Sequence, residues 1–225
     1  MQEEIKTTEV VDTENTEIIK QEKIPKFNSY WDYIKMNMLD VDFSELKKIN
    51  YNVKGWIQVN GTNINYPFVQ ANDNKYYLTH SFDKSWNSAG WLFLDYRNNY
   101  TNNKNTIIYA RGRTDKTMFG SLKNVLSNEW LNNRNNYIIK ISTEKGNSLW
   151  QIFSIYHIPT TSDYLQTDFS SDTEYLDFLK MLLNRSTYNF NTSVNSNDKI
   201  FTLSTCYNNS DKMVVHAKLI KREVK

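Results

Sequence analysis

Along this chain the apolar positions switch between a helical period and a period of two. Tyr30, Trp31, Ile34 and Met38 recur at helical spacing, and a second short helix is predicted with Asp42 as its N-cap, Glu45 at the third position and Phe43, Leu46 and Ile49 facing inward. After Gly55 the period becomes two: Trp56 to Val59, an Asn60-Gly61 turn, then Ile64 to Val69, the pattern of a β-hairpin. Further strands are predicted at Trp91 to Asp95, Thr106 to Tyr109, Tyr137 to Ser142, Leu149 to His157, Ile200 to Thr205 and Met213 to Ile220, with Glu144-Lys145-Gly146-Asn147 as a turn. Between them lie a helix near Leu122 to Leu131 and a clearer one opening at Ser171. There Ser171 and Glu174 form a capping box ahead of Tyr175, Leu176, Leu179 and Leu183. The expected fold is a mainly β barrel of about eight strands with inserted helices.

Composition adds boundaries. Residues Met1 to Pro25 are rich in Glu, Thr and Lys and lack aromatic side chains, so residues 1–26 read as a flexible arm and 27–225 as one domain. The 225 residues, 39% hydrophobic and 14% aromatic, are enough for one generous core, and no repeat or low-complexity stretch argues for a second. Lys and Arg number 27 against 25 Asp and Glu, a balance too even to point to nucleic acid or to an anionic membrane surface. No run of about 18 apolar residues is present, as a membrane-spanning helix would need. A single cysteine excludes an intrachain disulfide, and His80, His157 and His216 have no metal-ligand spacing, so neither a metal nor another cofactor is implied.

Read from the residues alone, Cys206 is weak evidence, because a lone cysteine is more often a small buried hydrophobe than a nucleophile. Its position changes the weighting. The strand Ile200 to Thr205 gives way at Cys206 to the polar loop Tyr207 to Asp211, where a thiol is accessible.

Thr202-Leu203-Ser204-Thr205-Cys206, followed by Met213-Val214-Val215-His216-Ala217-Lys218-Leu219-Ile220, resembles the nucleophile strand and final strand of class B sortases. The resemblance extends through Gly55-Trp56-Ile57, Asn63-Ile64-Asn65-Tyr66-Pro67, Tyr76-Tyr77-Leu78, Ala89-Gly90-Trp91, Asp95-Tyr96-Arg97, Asn105-Thr106-Ile107-Ile108-Tyr109 and Met118-Phe119-Gly120-Ser121-Leu122. It implies an eight-stranded sortase-type barrel with two N-terminal helices and a long helix inserted before the nucleophile strand. It also implies a chemistry: the Cys206 thiolate attacks a sorting-signal peptide of a surface protein, forming a thioester that a peptidoglycan amine of the cell wall resolves. By the same resemblance the full-length protein sits outside the cytoplasmic membrane of a Gram-positive bacterium. An N-terminal apolar anchor is expected there, and the present chain is expected to be a soluble ectodomain.

The chain departs from the family at two places. Arg111, in Tyr109-Ala110-Arg111, stands where the family has its general acid and base histidine. A guanidinium stays protonated at working pH, so it attracts a thiolate but exchanges no proton, a loss expected to cost on the order of 10²- to 10⁴-fold in rate. Lys212 stands where the family has an arginine that holds the peptide or its oxyanion, and it supplies charge without the planar fork; Arg113 or Arg111 is a candidate to supply the fork instead. For peptide recognition the resemblance points to Asn74, Leu78, Tyr109, Tyr164, Leu165 and Ser204, with Tyr164 expected to be exposed because of the polar segment before it. Tyr109 and Leu78 are read equally well as core residues. His216 reads as a satisfied barrel histidine, and neither His80 nor His157 reads as a replacement base. Two functions remain: a transpeptidase impaired at Arg111, or a catalytically silent module that holds sorting-signal peptides. A cysteine protease of another fold ranks behind both.

Overall fold

The computed structural model describes residues 29–99 and 102–225, and the expected arm, residues 1–26, lies outside them. Among the described residues eight strands close into one barrel: β1 (Val53–Val59), β2 (Asn65–Val69), β3 (Phe93–Leu94), β4 (Asn105–Tyr109), β5 (Ile138–Thr143), β6 (Gly146–Pro159), β7 (Ile200–Cys206) and β8 (Asp211–Val224). Around the barrel they run β1-β2-β3-β4-β7-β8-β6-β5, which leaves the sheet without a free edge. Most neighbours are antiparallel, but β2 pairs parallel with β3 and β4 parallel with β7. A parallel pair needs a long crossover. Between β4 and β7 it is the whole segment 110–199, and it brings two residues far apart in sequence, Tyr109 and Ser204, side by side.

The two local turns read from the sequence form as expected. Gly61 holds φ at +70° in the β1–β2 turn, where an added Cβ would stand 2.5 Å from the Asn136 side chain. Glu144 and Lys145 link β5 to β6.

Inside the barrel Ile57, Val59, Ile108, Phe119, Ile139, Ile141, Ile152, Phe201, Leu203 and Val215 form one buried core. The outer face of β7 is covered as well. Helix α4 (Asp172–Arg185), the fourth in order after α1 (Ser29–Tyr33), α2 (Ser44–Ile49) and α3 (Asn128–Leu131), lays Tyr175, Phe178, Leu179 and Leu182 against Phe153, Tyr156, Ile200 and Val214. Each such side chain contributes roughly 1.5–3 kcal/mol by leaving water, so this second layer fixes the strand that ends in Cys206. The cap holds: Ser171 Oγ accepts from Glu174 N at 3.1 Å, while the Glu174 carboxylate turns to Ser170 N at 2.7 Å.

Four expectations need correction. The inward face of α1 is carried by Tyr33, 2% exposed, whereas Trp31 is 57% exposed, because a helix of five residues is too short for a periodic stripe to fix its orientation. In α2 the N-cap is Phe43, with Asp42 one residue earlier accepting from Ser44 N, and Ile49 lies exposed at the helix end. The helix expected over Leu122 to Leu131 divides into a 3-10 segment, Gly120–Leu126, and α3, which Ser127 caps. On α4 the buried stripe takes Phe178 and Leu182 in place of Leu176 and Leu183.

Candidate active site

Period two along β7 places Thr202, Ser204 and Cys206 on one face, the face under α4 and the loop that precedes it. Across on β8 their partners are His216, Val214 and Lys212. Cys206 is the last residue of β7, and its free thiol is exposed. The β7–β8 turn is tight: Tyr207 N donates to Asp211 O at 2.8 Å, and Asn208 Oδ1 accepts from Ser210 N and Asp211 N at 2.8 and 2.7 Å. This turn sets Lys212 directly opposite Cys206, and Lys212 Nζ donates to Cys206 Sγ at 3.2 Å. The short loop read from the sequence therefore gives the register in which Lys212 meets the sulfur.

From the other side comes the segment leaving β4. Parallel pairing of Tyr109 with Ser204 carries Arg111 to the level of Cys206, and Thr205 Oγ1 donates to Ala110 O at 2.7 Å. Gly112 touches the Cys206 backbone so closely that a Cβ would stand 2.3 Å from the Cys206 carbonyl oxygen; only glycine fits there. The Arg111 side chain, however, turns toward the loop at Leu78, where Nε donates to the Leu78 carbonyl at 2.9 Å. Among the described residues its hydrogen bond is to that carbonyl and not to the sulfur. Arg113 is engaged within its own loop: Nη2 donates to Asp115 Oδ2 at 2.7 Å and Nε to Thr117 Oγ1 at 3.1 Å. Its fork is directed at Asp115, contrary to the expectation that it serves the site.

The residues expected to contact a peptide divide into two groups. Ser204 and Tyr164 meet, with hydroxyls 3.0 Å apart, but Tyr164 is 1% exposed, and the expectation of an exposed ring is wrong. The ring packs with Tyr156 and the α4 cluster, an apolar contact that the polar residues before it in sequence concealed. Burial pushes the Tyr164 phenol up from its ordinary range.

Asn74 and Tyr109 converge instead on Asp95, fully buried at the end of β3. Asn74 Nδ2 and the Tyr109 hydroxyl donate to Asp95 Oδ2 at 3.0 and 2.9 Å, and Arg97 grips both oxygens at 2.9 and 2.8 Å. Burial by itself would raise the Asp95 carboxyl; Arg97, with Tyr109 and Asn74, outweighs it and holds the group below the usual carboxylate range. Arg97 Nη2 also donates to the Leu165 carbonyl at 3.0 Å, so this ion pair ties the loop before α4 to the barrel. Leu78 offers its carbonyl to Arg111, and its side chain packs on the Phe43–Tyr77 cluster.

Sequence reading missed a second buried network. Asn105 Nδ2 donates to Gln166 O at 2.9 Å, Thr202 Oγ1 donates to Asn105 Oδ1 at 2.7 Å, and His216 lies between Thr202 at 2.9 Å and Tyr156 at 2.8 Å. With the Thr202 proton directed at Asn105, the network assigns Nδ1–H to His216 as donor and Nε2 as acceptor from Tyr156. Burial, aided by the Arg185 charge, pushes His216 down to about 3, so it stays neutral at working pH. The signal was present in part, since Thr202 and His216 share strand parity with Cys206 and Lys212. What the sequence lacked was the pairing of β4 with β7 that brings Asn105 to them.

An exposed thiol at a barrel strand end, a cation on its sulfur and a fixed loop beside it are parts that a cysteine-based acyl transfer can use. A model of the Sortase domain matches residues 57–220. The chain is 38% identical over 184 residues to Sortase B of Staphylococcus aureus (strain NCTC 8325 / PS 47), covering 80% of this chain and 75% of that relative. It superposes on the Staphylococcus aureus sortase B–substrate complex with a TM-score of 0.74 at 37% identity, covering 80% of this chain and 84% of the other. Against a sortase B complexed with triglycine the TM-score is 0.75 at 36% identity, covering 80% and 85%. The chain belongs to the sortase family of cysteine transpeptidases. Within that family its relatives group it with the class B enzymes.

Proposed function

We propose that Cys206 is the nucleophile with which this sortase cleaves a sorting-signal peptide of surface proteins, and that the resulting thioester is passed to a cell-wall amine. The observation that carries the reading is the Lys212 ammonium 3.2 Å from an exposed Cys206 sulfur, within a barrel whose relatives were solved with a substrate and with triglycine. A cation at that distance stabilises negative charge on sulfur and lies beside the position where an oxyanion develops. The groove is assigned to the space between Leu78, Arg111 and the Tyr164–Leu165 loop. Tyr164 acts through Ser204, and Asn74 and Tyr109 act through Asp95, by holding the walls. The working location is outside the cytoplasmic membrane.

Arg111, bonded to Leu78 O, offers no proton-exchanging group at the sulfur, and turnover by the family's histidine route is accordingly weakened. Thioester trapping tests the reading. Incubation with threonine-containing sorting peptides is expected to add an acyl mass to Cys206, slowly in the present chain and faster after Arg111→His. Peptide binding that persists in Cys206→Ala, with no adduct in either cysteine-bearing form, would instead identify a silent binding module.

A further inference from the structure

If Arg111 exchanges no proton, another group must, because acyl transfer between amines moves one proton out and one proton in. The chain has three histidines, and none of them serves the sulfur. His216 is buried between Thr202 and Tyr156. His80 stacks on Tyr76 with ring centroids 4.0 Å apart and holds the Tyr76 carbonyl through Nδ1. His157 stacks on Tyr207 at 4.5 Å, with Asp211 Oδ2 3.9 Å from Nδ1. His157 pairs with Met213, which in turn pairs with Thr205, so its side chain lies on the face opposite Cys206. The Tyr164 hydroxyl is taken by Ser204. Lys212 is the protic group on Sγ among the described residues.

Resting on the reading of Cys206 above, we propose that Lys212 is a catalytic residue that moves the protons of acyl transfer, forming a cysteine–lysine dyad in which lysine takes over the work of the missing histidine. An ammonium differs from a guanidinium in this respect, since a lysine amine serves as a general acid and base, whereas the delocalised guanidinium of arginine keeps its proton. With the shared proton on Nζ, Sγ attacks the peptide carbonyl and forms the S–C bond. Collapse breaks the C–N bond, and the Nζ proton goes to the departing amine, leaving a thioester and a neutral lysine. An incoming amine then adds to the thioester carbonyl. As the C–S bond breaks, the surplus proton of the new amide nitrogen passes to Nζ, and the starting pair is restored.

The strand register makes the dyad a built feature. Cys206 and Lys212 are cross-strand partners closed by a turn with three hydrogen bonds, so Nζ reaches Sγ without loop movement. The other titratable groups around the pair are Arg111 on the segment leaving β4, Tyr164 on the loop before α4, and Tyr207 and Asp211 in the turn.

The test separates charge from proton transfer. Acetyl-threonine p-nitrophenyl ester, whose leaving group needs no proton, is used to acylate the whole chain, and the hydroxylamine-labile thioester is counted, since Cys206 as the sole cysteine is the one place it can form. Nζ keeps its proton in that step and gives it up to buffer base before triglycine adds; resolution of the thioester by triglycine is then followed in the parent, Lys212→Arg and Lys212→Met. The dyad predicts that Lys212→Arg is still acylated but resolves at least about 10²-fold more slowly, as Lys212→Met does. Adding Arg111→His should raise the rate of Lys212→Arg by a larger factor than it raises the parent, since two bases replace one another. Parent-like resolution in Lys212→Arg, or equal factors from Arg111→His, would overturn the dyad while leaving Cys206 as nucleophile. No acylation of the parent would overturn the reading of Cys206 itself, and the dyad with it.

Discussion

Thr202 and Cys206 lie on the same face of β7, about 13 Å apart along the strand, and the protein treats them in opposite ways. Thr202 is fully buried, bonded to Asn105 and His216, in a network that holds the loop at Gln166. Cys206 is exposed and shares its sulfur with one flexible cation. Ser204, between them, is buried beneath Tyr164. The face thus grades from a saturated interior to an open end. The lesson is that the reactive end is placed by the saturated one: polar groups that make every bond available to them fix the strand, and the last residue is left free to react.

The sharpest way to break this comparison is at its open end. Cys206→Ala is expected to abolish acyl-adduct formation altogether while leaving the unfolding midpoint near that of the parent, since an exposed side chain contributes little to the core. Mass spectrometry and a thermal melt on the same sample check both halves; an adduct elsewhere on the chain would remove Cys206 from the mechanism.

The buried end should respond in the reverse sense. Asp95→Ala leaves Arg97, Tyr109 and Asn74 without their shared acceptor, and is expected to cost about 3 kcal/mol of stability. The figure belongs at the low end for a buried pair because the Arg97 side chain is 40% exposed and regains water. Urea unfolding measures it, and a loss under about 1 kcal/mol would show that the Arg97 tie to Leu165 is ornamental.

A pH series probes His216 in the same end. Its folded-state value, about 3, lies below the ordinary value of 6.5, so between these pH values the unfolded chain binds the proton that the barrel refuses. Stability must therefore be full above about pH 6.5 and fall as pH falls toward 3, by about 2 kcal/mol between pH 7 and 5. Asp95, whose carboxyl is depressed, keeps its contribution above the unfolded carboxylate range and loses it only at lower pH, so the two windows separate. Unfolding of His216→Gln at pH 7, 6 and 5 should show the slope flattened; an unchanged slope would assign it to another group.

How much of this was legible before the fold was seen follows the same grading. The strand ending at Cys206, the α4 cap at Ser171 and the two tight turns are local signals, and the sequence carries them in full. Lys212 was singled out by the family resemblance, and the short β7–β8 turn is what sets it across from Cys206. Asn105 and Thr202 were not assigned to a network because their partners arrive by parallel β4–β7 pairing and by the loop before α4, and Asp95 was not because Tyr109 reaches it by β3–β4 pairing and Asn74 from the loop after β2, contacts without a sequence period. Tyr164 misled for a related reason. Polar neighbours in sequence say nothing about α4, which folds over the ring.

Tyr164 also supplies the smallest and most discriminating test. Tyr164→Phe keeps the ring and removes one hydroxyl, leaving Ser204 Oγ without its partner 3.0 Å away, for an expected loss of about 1 kcal/mol. If the phenol serves only to fix β7 beneath the loop, the sorting-peptide KM should stay within about twofold and only the unfolding midpoint should fall. If Tyr164 rises out of its pocket to meet the peptide, KM should climb by about fivefold or more, the equivalent of about 1 kcal/mol of lost contact. Steady-state kinetics beside urea unfolding on one preparation decides between them. The buried ring and its occupied hydroxyl favour the first outcome, in which Tyr164 belongs with Thr202 on the saturated side of the face and Cys206 with Lys212 alone make up the reactive side.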